Sequence, residues 1–489
     1  MSLYLGYSQK VEIEYAEELG GVPERRILRG AVRLRQDSIL LLCQQAILTE
    51  DGGFIGEGST MTLIGRIGQI KAQRLRYDPQ QRRLTYEGDV QADFPPVSLR
   101  VPQLHYDRES ALIWYEGGGT LTDTAGEIYS ERGQYDTQAN LATFAGNVRV
   151  KKGTIHARTD SLIYQSDIYY AISPTFIEVW DEETGDTLSA SQSEWNRLTS
   201  ELFLKGKVFY RNREGALRAA WAYHDMKRDS GHAACEVRYA DRKGSEFGWG
   251  DSACWLQDAF SFWSNAAFLS VGKQDSTFLQ ADRVHWAEGL LSAIGQAEFM
   301  RPPLLSRSDT LRYDTLARLA FLSGHAWITS QTIQLYADRI YLRLSENGID
   351  SASAIGNVRL IAVADSLLEF YHQIQGDSAI AIGGSDGTLR RLRFMQNLQI
   401  LYYQSEEERW QGAHHIYAGH VYLEIDSLQR PLYVRVEGRP RGTFYPVHKL
   451  VEAPLWIRGF EWMSPHLQPS WPFWKSCSPS DSGETCPKK

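Results

Sequence analysis

The chain has 489 residues, of which 43% are hydrophobic, 12% aromatic and 23% charged, with a formal net charge of −8. That length suits two to four ordinary domains or one elongated repeat array, and the composition is that of a folding chain, not a disordered one. The acidic balance excludes a dedicated nucleic-acid binder, which needs a basic surface to neutralise phosphates.

The 25 Tyr, 18 Phe and 14 Trp favour strands over helices. The N-terminus, "MSLYLGYSQKVEIEYAEELGG", lacks the basic start and apolar core of an export signal. Taken alone it predicts a cytoplasmic chain, or one whose leader has been removed or whose start codon is misplaced. The run "SILLLCQQAIL" (Ser38 to Leu48) starts too late for a leader and fits a strand pair. No stretch of about 18 apolar residues occurs, so no membrane-spanning helix is expected.

From Gly30 onward a Gly-centred phrase recurs. It reads "LRGAVRL" (Gly30), "YEGDVQA" (Gly88), "YEGGGTL" (Gly117), "FAGNVRV" (Gly146), "LKGKVFY" (Gly206), "LSGHAWI" (Gly324) and "AIGNVRL" (Gly356). Gly30, Gly88, Gly146 and Gly206 stand 58, 58 and 60 residues apart, with Gly117 midway and "ISPTFIEV" in the matching place near Pro174. The unit is therefore about 28 to 32 residues, a repeat-array length. A second phrase interleaves: "AQRLRYD" (Ala72 to Asp78), "VPQLHYD" (Val101 to Asp107), "RTDSLIYQ" (Arg158 to Gln165), "SDTLRYD" (Ser308 to Asp314) and, more loosely, "ADRIYLR" (Ala337 to Arg343). In the first four a Leu stands two before a Tyr, so both share one strand face. In the fifth the pair is Ile340 and Leu342.

These phrases predict strand-turn-strand units. Val148 and Val150 share a face, as do Leu162 and Tyr164, and as do Val90, Ala92 and Phe94; Arg149, Lys151 and Lys152 fall on the other face or in the turn. Gly suits a tight bend or bulge. Asp107, Asp136, Asp160 and Asp314 are read as turn residues rather than clustered catalytic carboxylates. One unit cannot bury its own apolar face, so stacked units share one lengthwise interior. The expected architecture is all-β, an elongated antiparallel sheet pair, curled or V-shaped.

Further along, "EGALRAAWAYHDMKRD" (Glu214 to Asp229) has the most helical pattern but aligns with the second phrase and is read as strand. From Arg228 to Gly295 the phrases fade, as in a degenerate unit or a junction. "GGSDG" (Gly383 to Gly387) reads as a hairpin turn, and Arg390, Arg391 and Arg393 as solvated strand edges. His414 and His415 are adjacent, so on a strand they point to opposite faces and chelate poorly. The tail aromatics Trp456, Phe460, Trp462, Trp471, Phe473 and Trp474 form either a docking patch or a cap on the open end of the array.

The five cysteines (Cys43, Cys235, Cys254, Cys477, Cys486) show no CxxC or zinc spacing. Cys235 and Cys254 flank a Gly-rich turn and admit either one disulfide in an oxidising compartment or buried free thiols. No phosphate loop, metal cluster or nucleophile-base order is legible, so no enzyme, cofactor or metal is expected.

The ordered alternation of the two phrases resembles the OstA-like family, the LptA-type proteins of lipopolysaccharide transport. "FAGNVRVKKGTIHARTDSLIY" and "AIGNVRLIAVADSLLEFY" carry the resemblance best, and "GTFYPVHKLVEAPLWIRGFEWMSPHLQPSWP" (Gly442 to Pro472) is similar to the ending of the longer two-part members. The resemblance implies a periplasmic β-jellyroll, or V-shaped β-solenoid, with outer-membrane association. It implies lipopolysaccharide as cargo, with the lipid A acyl chains in an interior groove and the sugars outside. It further implies edge-to-edge strand addition to other jellyrolls or to itself, and a separate outer-membrane barrel protein as partner. The groove candidates are Val90, Phe94, Val148, Val150, Leu162, Tyr164, Val208, Leu311, Tyr313 and Val358. The expected division is 1–230 for the first jellyroll, 231–440 for a more divergent one, 441–475 for an aromatic cap and 476–489 for a disordered tail. The alternative is a cell-envelope β-solenoid scaffold or adhesin without lipid cargo; a polysaccharide-active β-helix enzyme ranks below it.

Overall fold

The computed structural model describes residues 11–459 and Trp462, apart from positions 23, 37–38, 65–67, 96, 124–125, 166–167, 169, 258, 273–275, 303, 330–331, 346–347, 385–388, 407–408, 427–430 and 453–455. The described residues form 32 β-strands and one 3-10 turn, Val447–Glu452, with no α-helix among them. Successive strands pair antiparallel, as in Arg83–Phe94 with Val97–Asp107 and Leu141–Lys152 with Ile155–Gln165. The all-β repeat read from the phrases is present. Gly215–Asp225 is a strand, as its alignment with the second phrase predicts.

The Gly phrase is an elbow. Two successive residues take positive φ in mid-strand: Gly88 and Asp89 (79° and 46°), Gly146 and Asn147 (77° and 48°), Gly356 and Asn357 (81° and 48°). Ladder register breaks there on both neighbouring strands, for example between Glu87 and Val90 and between Ala145 and Val148. Such a bulge bends a strand into two limbs. Gly occupies the first elbow position because it has no Cβ, and Asn the second because it tolerates left-handed backbone. Val then begins the far limb on its buried face: Val90, Val148 and Val358 are all 0% exposed.

The second phrase clasps the elbow. Asp309 accepts from His325 Nδ1 at 3.0 Å, Asp338 from Asn357 Nδ2 at 3.0 and 3.1 Å, and Asp377 from Asn397 Nδ2 at 2.6 Å. The Asp that ends the phrase makes the turn. Asp78, Asp107, Asp136 and Asp314 each accept the backbone N–H groups two and three residues on, at 2.8–3.1 Å. Those bonds draw the Asp107 carboxyl below its usual range, first through Ser110 N–H. Asp160 departs from expectation: it lies in mid-strand, exposed, where Ile155–Gln165 passes the elbow of its neighbour, and not in a turn.

The faded middle keeps the unit but not its glycine. Elbows stand at Cys235–Glu236 (65° and 56°) and Ser264–Asn265 (56° and 54°), and again at Gln396–Asn397 (68° and 54°). Near Pro174 the elbow becomes a break: Tyr170–Ser173 and Ile177–Asp181 pair with the two halves of one strand, Ile155–Gln165.

Two further readings need correction, and a third falls largely outside the described residues. Arg391 and Arg393 are solvated, but their strand, Leu389–Glu406, is paired on both sides and is not an edge. Cys254 is a free thiol while Cys235 is disulfide-bonded, so no bridge joins the two; the partner of Cys235 lies outside the described residues. Gly383 ends the strand Phe370–Gly383, and the rest of "GGSDG" from position 385 lies outside them too.

The chain divides into two compact units, Met1–Glu214 with Trp221–Lys227, and Gly215–Ala220 with Arg228–Lys489. In the first, Leu28, Val32, Leu75, Tyr86, Val90 and Leu104 have no exposed surface; in the second, Leu279, Phe299, Leu322, Ile340, Val358 and Phe394 have none. Burying each such side chain stabilises by about 1.5–3 kcal/mol.

In the second unit the chain after Arg441–Pro446 turns back onto the sheet. Leu450 and Ile457 pack on Leu401, Tyr403 and Ala413, and Ile457 N–H donates to Gln373 Oε1 at 2.9 Å. Trp456 and Trp462 lie against the Tyr371 ring, at centroid distances of 5.7 and 5.2 Å. Tyr371 and Gln373 alternate with the inward Ile374, so this contact is on the outer face of the sheet. Phe460, Trp471, Phe473, Trp474, Cys477 and Cys486 lie outside the described residues.

Candidate lipid trough

Side chains alternate along each limb, so the register fixes which residues face inward. In the first unit one inward row runs through the limbs beyond the elbows. Its early members are filled: Leu34, Leu41, Ile70, Ala92 and Leu99 are at most 8% exposed. The same row continues from Leu121 to Ile128, Val150, Ala157, Val179 and Leu188, each directly opposite the next. All six are only half-buried, and Tyr210, opposite Leu188, is 36% exposed. The facing row, nearer the turns, runs Tyr135, Ala142, Tyr164, Ala171, Trp195 and Leu202. Except for Ala142 it too is half-buried.

The cause is side-chain size. The filled stretch meets Phe54, Tyr77 and Leu84 from the facing limb, whereas the later stretch meets Ala142 and Ala171 there, with Ser130, Thr159, Ser173 and Ser193 buried at the elbows. The hydroxyls there satisfy one another: Thr159 Oγ1 lies 2.7 Å from Ser173 Oγ, and Tyr115 Oη 2.6 Å from Ser130 Oγ. Tyr115 marks where filling ends. Its ring passes 2.3 Å from where a Cβ on Gly133 would stand, so only Gly fits beneath it. Beyond it an apolar trough spans seven strands, roughly 30 Å at about 4.8 Å per strand. Trp195 Nε1 is buried in its wall without an acceptor among the described residues.

The second unit contrasts. Its inward row Phe268, Leu279, Phe299, Ser306, Ile328, Leu335, Leu360, Ile374 and Ile400 is at most 9% exposed throughout. The sequence-derived groove residues divide accordingly. Val90, Val148, Leu162, Val208, Leu311, Tyr313 and Val358 are buried among other side chains, while Phe94, Val150 and Tyr164 keep accessible surface. Val150 and Tyr164 lie in the trough walls. Sequence reasoning missed Leu121, Ile128, Ala157, Val179 and Leu188, although counting by twos from Val150 across each hairpin reaches them.

Among the described residues no three His, Cys, Asp or Glu lie close enough to hold a metal ion. His414 and His415 each meet a glutamine, Gln404 and Gln399, at 2.8 Å. No described helix is long and apolar enough to cross a membrane. No curated protein matches the chain. The family described as OstA-like protein matches residues 8–160, which include the filled stretch and the first strands of the trough. Residues 8–160 are thus similar to the OstA-like family, which the repeat phrases resemble.

Proposed function

We propose that the chain shelters the acyl chains of a lipid, lipopolysaccharide, in the trough of the first unit during transport to the outer membrane. The observation that carries this reading is the change along one inward row, filled up to Leu99 and accessible from Leu121 to Leu188. An acyl chain of about a dozen carbons leaving water gains roughly 10 kcal/mol before the costs of association. The row is long enough to hold one extended. The protein performs no chemistry on the cargo; it binds and passes on.

The reading places the chain in the periplasm, in contact with other jellyroll proteins and a separate outer-membrane barrel. The disulfide at Cys235 fits an oxidising compartment. Strand addition is supported at both margins of the described sheet. Glu12–Tyr15 and Glu18–Val22 are exposed throughout and pair only with Arg25–Gln36. Pro431–Glu437 and Arg441–Pro446 pair only with Arg409–Ile425. Unpaired strand edges recruit further strands.

A photo-crosslinking residue at Val150 or Leu188 should capture lipopolysaccharide in cells, and one at the outward Arg149 should not. Val148 and Leu162 are unsuitable sites because both are buried. Equal capture on both faces, or none, would reject the trough. The filled interior of the second unit favours a scaffold role for that half. Purified full-length protein free of lipid by mass spectrometry would extend that role to the whole chain.

A further inference from the structure

The outer face of the second unit carries a second concave site, and it rests on no part of the trough reading. Phe321 and Tyr341 stand directly opposite one another on neighbouring strands, ring centroids 4.7 Å apart. They alternate with the buried Leu322 and Leu342, so they point away from the interior. Leu290, Leu319 and Ile380, each 42% exposed, stand around the pair, and together these residues line an open cavity of about 470 Å³. Arg312 lies cross-strand from Phe321, and Arg343 from Leu319; both also line the cavity. Neither guanidinium has an ion pair among the described residues. The one carboxylate lining it, Asp314, is held by the turn N–H groups of Leu316 and Ala317.

We propose that this cavity binds an acidic sugar unit of a glycan. Small-ligand sites are concave, mostly apolar, roughly 300–1,000 Å³, with a few placed polar groups. The aromatic pair offers a flat apolar floor to the C–H face of a pyranose ring. Two free guanidiniums at the rim supply the planar donors that match a carboxylate or phosphate. Ser351 and Ser353, on the next strand, add hydroxyls for the remaining sugar oxygens. The alternatives fit less well. Every strand here is paired on both sides, so an added strand has no edge to join. A bilayer is met by protruding side chains, whereas these line a hollow.

The test is titration of the full-length protein with trigalacturonate, glucosamine 6-phosphate and neutral cellotriose, read by calorimetry and saturation-transfer NMR. Binding of either anionic probe at least tenfold tighter than cellotriose is expected, and the stronger of the two identifies the anion. The double variant Arg312→Gln/Arg343→Gln and the single variant Tyr341→Ala should each weaken it at least tenfold. All three positions are exposed, and unchanged circular dichroism would show intact folding. Unaltered affinity in the variants, equal binding of cellotriose, or no binding of either anionic probe would overturn the proposal. So would Tyr341-dependent flotation with phosphatidylglycerol vesicles in place of sugar binding. Loss of the trough crosslinks would leave this result untouched, because the two sites lie in different units.

Discussion

Gly356→Val is expected to destabilise the second unit by about 3 kcal/mol, enough to raise hydrogen exchange across Ser353, Ala354 and Arg359 and the facing strand Ile333–Leu344 by roughly a hundredfold. Gly356 has φ of +81°, a conformation in which a β-branched side chain is strongly disfavoured. An added Cβ would stand 2.2 Å from Asp338 Oδ2 and 3.0 Å from Asp338 Cβ, so the whole carboxylate must move. Moving it breaks the clasp with Asn357 Nδ2. Gly356→Asn is the internal control: it carries the same Cβ and also shifts Asp338, but without β-branching at positive φ. Gln396 holds this elbow position at φ of 68° while Asp377 still accepts from Asn397 Nδ2, so an unbranched side chain and the clasp coexist there. The cost of Gly356→Asn should be about 1 kcal/mol, and its difference from Gly356→Val measures the branching. Equal exchange in Gly356→Val and the parent would mean that the elbow is not a required bend.

The same elbows show what was legible in the sequence and what was not. The interleaving of the Gly phrase with the second phrase is visible because two physical demands recur: a residue tolerant of left-handed backbone, and a carboxylate on the preceding strand across from it. Where Cys235 and Ser264 meet the first demand without Gly, the phrase disappears from the sequence though the bulge remains. Asp160 misled for a related reason. It has the composition of a turn residue, yet position across from an elbow and position at a turn both select Asp, and only register separates them. The trough was half legible. Inward parity followed from alternation, but whether a row is filled depends on the facing limb, which brings Tyr115 over Gly133 and leaves alanines opposite Val150. A single strand's sequence carries nothing about that partner. The closure of the second unit was hidden in the same way, since the half-buried Val150 and the buried Leu360 hold equivalent places, four residues past Gly146 and Gly356.

Acid should loosen the second unit before it protonates the turn aspartates. His372 sits in the strand Phe370–Gly383 with its ring stacked on Tyr402 at 4.8 Å, and Tyr403 N–H donates to its Nδ1 at 3.2 Å. A ring nitrogen that accepts is unprotonated, so the fold holds the neutral form. Burial pushes the imidazole down from 6.5 to about 4. Between those values the unfolded chain binds the extra proton and the folded chain does not, so stability falls as pH falls through that window. The loss should reach roughly 2–3 kcal/mol by about pH 4.5. Asp107 and Asp365 have carboxyls drawn below their usual range, chiefly by backbone N–H groups, and their contribution disappears only at lower pH. Denaturant titrations of the parent and His372→Gln at pH 7 and pH 4.5 separate the two effects. The glutamine keeps an acceptor for Tyr403 N–H but takes up no proton, so its stability should fall clearly less over that interval than the parent's, the remainder coming from His414 and His415, whose imidazoles burial also pushes down. A parallel fall in both proteins would assign the acid sensitivity to other groups and leave His372 as packing alone.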